Sequence, residues 1–366
     1  MPTVSMKKVS GDLVPAVEVL AQPFISERAL QGKSVLIKPN LVEPLPYTSG
    51  QTTNPALVEA IIMWLRKEGA GSVVVGEGPS YFQPRERLRD CFLRTGMAAA
   101  AQRQSAAWVL FDEGEFREFA QVSENVPNRF HISEHAFAYD AIINVPVPKT
   151  HYLTGVSIAM KNLKGFIRRE EKPSFHYCGP EGIHGAVTEL NKLIRPTLNI
   201  ADCTAPCHRN GNFLLAGADI VAVDAVMASL MGVNPQSVRM LQLGSAAGLG
   251  EVDCARIEVV GDDLKGLRMN VEQPASYVRR VFPEVCLDAT SACSGCLIPL
   301  FAALRRLEET GAVIDGPVTI RCGKDAGRPA GEGACCSVGR CAGAGTGSLP
   351  ELAVCPPTKE EVYVFL

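Results

Sequence analysis

The chain has 366 residues, 46% of them hydrophobic and 20% charged, with a formal net charge of −3. This length suits one large domain with a smaller one, and the near-balanced charge excludes a global field that would gather nucleic acid or an anionic membrane. The opening MPTVSMKKVSGDLVPAVEVLAQPF lacks the apolar core and cleavage site of a signal peptide, and no run reaches the roughly 20 apolar residues of a spanning helix, so a cytoplasmic protein without membrane insertion is expected.

Residues 33–38, KSVLIK, read as a buried strand that ends at Pro39 and Asn40. Asn54 followed by Pro55 starts a helix with Leu57, Ile61 and Trp64 inward, and Gly69 stops it. A second strand, SVVVG, follows Gly71. Next come a helix over 84–94, a strand over 108–111, two polar edge-like segments near 116–133, and an apolar strand over 141–147 that Pro146 and Pro148 end. Strands alternating with helices predict an α/β fold, a mostly parallel Rossmann-like sheet with helices on both faces. Ligands in such sheets collect at the carboxyl ends of the strands. The residues behind those ends are Lys38 and Asn40, Glu77, Asp112, Lys149 and His151, and Asp202.

The stretch NVPVPKTHYLTGVSIAMKNLKGF concentrates the cations. From Thr154, a plausible N-cap, the spacing predicts a helix with Val156, Ala159, Met160, Leu163 and Ile167 on one face. Ser157, Lys161, Lys164 and Arg168 fall beside that face as a basic stripe. Positive charge and helix N–H groups at one place suit a carboxylate or phosphate. Lys38, Asn40, Lys161, Asn162 and Lys164 are therefore candidate substrate-binding residues, and Lys149, His151 and His176 candidate acid–base groups. Glu77 and Asp202 could hold a cation or act as bases. The plainer reading is a solvated helix edge with loop histidines.

Further on, LLAGADIVAVDAVMASLMG reads as a turn and a helix with Asp219 and Asp224 in its early part. Asp224 either faces the cleft or is a helix-start carboxylate. A helix over 236–250 and a strand over 256–260 close a first domain, residues 1–265. The segment GEGPS at 76–80 lacks G-x-G-x-x-G spacing, so no tightly held NAD or FAD is expected.

The wording NVPVPKTH, KNLKGF, VLIKPNLV and LLAGADIVAVDAV resembles the DUF362 family, proteins named for a domain of unknown function, over about residues 30 to 260. Some members are described as iron–sulfur centre proteins, so the resemblance implies such a centre without implying a reaction. It also matches Lys172 and His176 to a lysine and a histidine of the family. The family's longer glycine-rich segment is shortened here to DCTAPCHRNGN, whose Cys203, Cys207 and His208 follow no established metal spacing. Many members carry consecutive ferredoxin-type cysteine runs, which this chain lacks.

Eight of the thirteen cysteines lie between Cys286 and Cys355, in a predicted C-terminal cysteine-rich α/β domain, residues 266–366. In a reducing compartment a disulfide framework is not expected. Cys293 and Cys296 form a C-x-x-C pair before a helix-like run, while Cys341 and Cys355 follow short strand-like segments. If those strands are parallel neighbours, both thiols emerge at one edge. Four-cysteine ligation of a [4Fe–4S] cluster by Cys293, Cys296, Cys341 and Cys355 is the favoured expectation, with Cys286 as substitute ligand. Zinc is the rival, and a redox-active dithiol at Cys293 and Cys296 a third possibility. Cys322, Cys335 and Cys336 are less committed as ligands, the last two flanking a buried-looking strand where cysteine often serves as a small apolar residue, and the stretches 323–334 and 342–348 read as glycine-rich loops.

The favoured function is an iron–sulfur protein in redox or electron transfer with a small anionic substrate or a redox partner protein. One alternative is a non-redox lyase or racemase acting on a carboxylate, with a structural cluster or zinc; another is a metal-cluster assembly or carrier protein. A homo-oligomer stays open.

Overall fold

The structure is a computed structural model. It describes the chain except residues 27, 81–85, 177, 207–211, 264–265, 270, 293, 315, 324–333, 344–349 and 356. Cys293, Cys207, His208 and most of the two glycine-rich stretches therefore lie outside the described residues.

The chain divides into two compact units. One comprises Met1–Lys149 with Val156–Val271, and the other Thr150–Gly155 with Glu272–Leu366.

The strands run in chain order as β1 (Thr3–Lys8), β2 (Ser34–Lys38), β3 (Ser72–Glu77), β4 (Ala107–Leu110), β5 (Phe116–Ala120), β6 (Arg129–Ser133), β7 (Ala141–Asn144), β8 (Lys149–His151), β9 (Gly155–Ser157), β10 (Leu198–Cys203), β11 (Phe213–Gly217) and β12 (Glu258–Gly261). Eight of them make one sheet in the order β12-β1-β11-β10-β7-β2-β3-β4. β11 runs antiparallel to both neighbours and every other pairing in that sheet is parallel. The central strands are rich in Val and Ile and buried on both faces, as parallel strands under helices must be.

Val35, Ile37, Val75 and Ile143 point into a core with helices 13–21, 55–67, 86–94 and 97–103. On the other face Val223, from helix 220–230, approaches Gly217 of β11 so closely that a Cβ there would lie 2.8 Å from it. Asn54 caps helix 55–67 by accepting from the Ala56 N–H, and Pro55 occupies its first turn, as the sequence predicts.

Two expectations are corrected. No helix starts at Thr154: Gly155 takes φ +70°, residues 149–151 pair with 155–157 as a hairpin, and a helical turn begins only at Ala159. Lys149 and His151 follow the end of β7 and themselves form β8 of that hairpin. Asp224 is not a helix-start carboxylate. Asp219 caps helix 220–230, and Asp224, fully buried in its middle, accepts from Ala159 N at 2.7 Å and Met160 N at 3.1 Å.

In the second unit, β13 (Val285–Ser291), β14 (Val318–Gly323), β15 (Ala334–Val338) and β16 (Glu351–Leu352) form a parallel sheet in that order. Leu300, Phe301 and Leu304 of helix 294–310 share a core with Ile320, Val338 and Val362. Tyr152 stacks on Phe301 with ring centroids 4.1 Å apart. β13, which carries Cys286, has no counterpart among the predicted elements.

Candidate functional site

The register of the large sheet sets a polar row at its strand ends. Lys38 of β2 stands opposite Asn144 of β7, which stands opposite Asn199 of β10. Asn144 donates to Asn199 Oδ1 at 2.9 Å and to Ala159 O at 3.1 Å, while Asn162 donates to Asn144 Oδ1 at 2.8 Å and to Pro39 O at 3.3 Å. This amide ladder ties the turn 159–162, and with it Lys161, to the end of β2. Buried amides need such partners, because an unpaired one costs about 1–3 kcal/mol.

Lys38 is wholly buried and donates to both carboxylate oxygens of Glu77 at 2.8 Å. Glu77 also accepts from Gly78 N at 2.8 Å. Burial pushes the Lys38 ammonium down, and Glu77 opposes that shift. The backbone closes over the pair: a Cβ on Gly165 would collide with Glu77 Oε1 and lie 2.8 Å from Lys38 Nζ. Glu77 is therefore a counter-charge to Lys38.

Lys149 donates to Asn40 Oδ1. Burial, reinforced by the positive charge of Lys161, pushes Lys149 down to about 7, and burial takes Lys161 to about 8. Lys164 Nζ is 2.8 Å from Nε2 of the buried His176, and burial with Lys161 and Lys172 lowers it well below the usual lysine range. Lys172 donates to the carbonyls of Pro79 and Gly165, and burial takes it to about 8.

The structure thus gathers Lys38, Asn40, Lys149, Lys161, Asn162, Lys164 and His176 in the first unit. His151 belongs to the second unit, where its Nδ1 accepts from Leu153 N at 3.2 Å and Thr154 N at 3.3 Å. Arg168 leaves the basic stripe and lies over the Phe116 ring, 4.7 Å from its centroid. Asp202 accepts from Asn54 N at 2.7 Å and from the Thr204 hydroxyl at 2.7 Å, which makes it a loop anchor. Sequence reasoning missed the Asn144–Asn199 ladder and the pairing of Glu77 with Lys38. The one available signal is that Lys38, Glu77 and Asn144 each end an apolar strand, whereas Asn199 is the second residue of β10 and carries no such mark.

The profile described as "Domain of unknown function (DUF362)" matches residues 35–229, more than half of the chain. The chain belongs to the DUF362 family. The matched span includes Lys38, Lys149, Lys161, Lys164 and Lys172, and it ends before the main part of the cysteine-rich unit begins at Glu272. A curated DUF362 relative, the thylakoid-associated protein sll1697 of Synechocystis sp., is 24% identical over 254 residues, covering 66% of this chain and 76% of its own length. Among solved structures, the lactate racemase apoprotein of Thermoanaerobacterium thermosaccharolyticum aligns with TM-score 0.43 and 13% identity over 89% of this chain and 70% of that one. A Thermotoga maritima protein aligns with TM-score 0.37 and 10% identity over 85% of this chain and 72% of that one. Among the described residues no helix is long and apolar enough to cross a membrane.

In the second unit, three of the candidate metal ligands come from elements that meet at one end of the sheet. Cys296 Sγ packs so tightly on Gly339 that a Cβ there would collide with it, and Gly339, with φ +95°, precedes the turn carrying Cys341. Gly339 N donates to Leu352 O at 2.9 Å and Arg340 N to Val354 O at 3.3 Å, which brings the segment leading to Cys355 alongside. β15 and β16 are parallel neighbours. Cys296 is buried, Cys341 half-buried, and Cys355 and Cys286 exposed. Among the described residues no three His, Cys, Asp or Glu side chains are grouped to hold a metal ion. The donor set at this end of the sheet is thiol-rich, which fits a thiophilic centre better than a hard cation.

Proposed function

We propose that this DUF362 protein binds a small carboxylate or phosphate at the lysine cluster of its first unit and carries a [4Fe–4S] cluster in its second. The observation that carries the reading is the imbalance of charge at the strand ends. Lys149, Lys161, Lys164 and Lys172 gather where Glu77 is already bonded to Lys38 through both oxygens, and a second carboxylate, Asp112, acts on Lys172. Like charges held together and dehydrated cost free energy, and an anion relieves that cost. Cys296, Cys341 and Cys355, with Cys293, would hold the cluster, which supplies one-electron chemistry when bound.

A non-redox reading is favoured by Lys149 itself. Its amine, pushed down to about 7 and steadied by Asn40, suits proton transfer on a bound carboxylate near neutral pH.

Anaerobic purification with iron, sulfide and zinc analysis tests the second unit, and calorimetry with phosphate, lactate and pyruvate tests the first. About four irons and four sulfides per chain, lost in Cys296→Ala, support the cluster. Zinc without sulfide overturns it. Failure of every one of those anions to bind overturns the first-unit reading, and a cluster passed readily to an acceptor apoprotein makes the chain a carrier.

A further inference from the structure

The lysines at the strand ends are not equivalent. Lys38 is bonded to Glu77, Lys164 stands against His176, and Lys172 donates to two backbone carbonyls. Lys149 is held by a neutral acceptor, the Asn40 amide oxygen. Asn40 itself is fixed: its backbone N–H donates to Thr53 Oγ1 at 2.8 Å, and that hydroxyl donates to Val145 O at 2.9 Å. Lys161 is set beside them because its neighbour Asn162 donates to the carbonyl of Pro39, the residue before Asn40.

An ammonium that acts only as an anion clamp must stay charged. Glu77 is hydrogen-bonded to Lys38 through both oxygens, and its charge only partly offsets the burial and the Lys161 charge that disfavour the Lys149 ammonium. A neutral amine next to a second cation is instead a nucleophile matched to a carbonyl carbon that bears a negative substituent. A 2-oxo acid has both features within three carbons. This inference rests on the anion-binding reading and adds the substrate class.

We propose that Lys149 forms a Schiff base with a small 2-oxo acid whose carboxylate is bound by Lys161. The Lys149 Nζ lone pair attacks the C2 carbonyl carbon, and the C–O π electrons move to oxygen. One proton passes from nitrogen to that oxygen to give a carbinolamine. The hydroxyl then departs as water with a proton supplied by the Lys161 ammonium, while the nitrogen lone pair forms the C=N bond and nitrogen keeps one proton as the iminium. No oxidant or reductant takes part. Asn40 orients the amine without competing for it, because its oxygen accepts a proton donor and offers no charge.

The full chain, incubated with pyruvate and borohydride and then digested, tests this by mass mapping. The expected result is a reduced pyruvyl adduct confined to Lys149, none when lactate replaces pyruvate, and roughly tenfold less label at fixed pyruvate in Lys161→Met, as loss of one charged contact implies. The Lys149→Arg chain, checked by circular dichroism to be folded, gives no label. Label on Lys161, or spread evenly over exposed lysines, overturns the assignment. No label while calorimetry still detects pyruvate binding overturns the covalent step and leaves the anion site standing. Absence of both label and binding overturns the two together.

Discussion

Glu77 and Lys38 form a buried ion pair, with both carboxylate oxygens 2.8 Å from the ammonium and the Gly165 backbone packed over them. Removing one partner leaves the other charged and dehydrated. Glu77→Gln is expected to destabilise the first unit by about 3–5 kcal/mol in urea denaturation. The double change Lys38→Met with Glu77→Leu should cost clearly less than the sum of the two single changes. Additive losses would mean that the two residues do not act as a pair.

Lys149 should be a fast-reacting amine of the first unit. With its pKa pushed down to about 7, it is neutral above that pH, whereas an ordinary lysine reacts only near its own value of about 10.4. Acylation of Lys149 should therefore rise through about pH 7. Lys161→Met removes a like charge and should move the midpoint upward. A midpoint unchanged by Lys161→Met would remove that lysine from the account.

Asp224 gives the opposite pH dependence. Burial raises it to about 7, above its unfolded value, even though two backbone N–H groups favour its charged form. The folded state therefore binds a proton that the unfolded state has released, and this contribution is lost as pH rises from about 4 through about 7. Asp224→Asn has one oxygen for two N–H groups and should be less stable at acid pH. The difference in melting temperature between the two chains should shrink toward neutral pH, and a constant difference would refute the titration.

Gly339→Ala should damage the cysteine-bearing unit. The new methyl group would collide with Cys296 Sγ, and the φ of +95° is strained for any residue with a Cβ. If the proposed cluster and anion site are present, loss of the iron with retained anion binding by the first unit is the expected outcome. Full metal content in this variant would separate Gly339 from the centre.

Much of the large sheet is legible in the sequence because its central strands are short apolar runs bounded by Gly, Pro and Asn, and those runs have few alternatives once helices alternate with them. Lys38, Asn40 and Lys149 can be placed together from their positions at or just beyond the ends of apolar runs. The turn at Ala159 cannot. Local spacing from Thr154 favours a longer helix, and the contacts that override it come from Asp224, sixty-odd residues away in sequence, together with the left-handed Gly155. The role of Glu77 is hidden for the same reason. A carboxylate after a strand reads as a ligand or base until the facing lysine is known. β1, TVSMKK, mixes apolar and polar residues, and β11, FLLAG, runs into a Gly-Ala-Asp that reads as a turn, so it is pairing with their neighbours in the sheet that resolves both into strands.

Tyr152 has a consequence for how the chain is made. Its ring stacks on Phe301 within the second unit, yet it leaves the ribosome about 150 residues before its partner. The six residues 150–155 must therefore wait, apolar side chains uncovered, until the C-terminal hundred or so residues emerge. A gene cut after Val271 would strand that segment permanently, and the separated tail would lack Tyr152 and Leu153 from its core. The core of the second unit is thus assembled from two stretches of chain that are made at different times, 150–155 and 272–366.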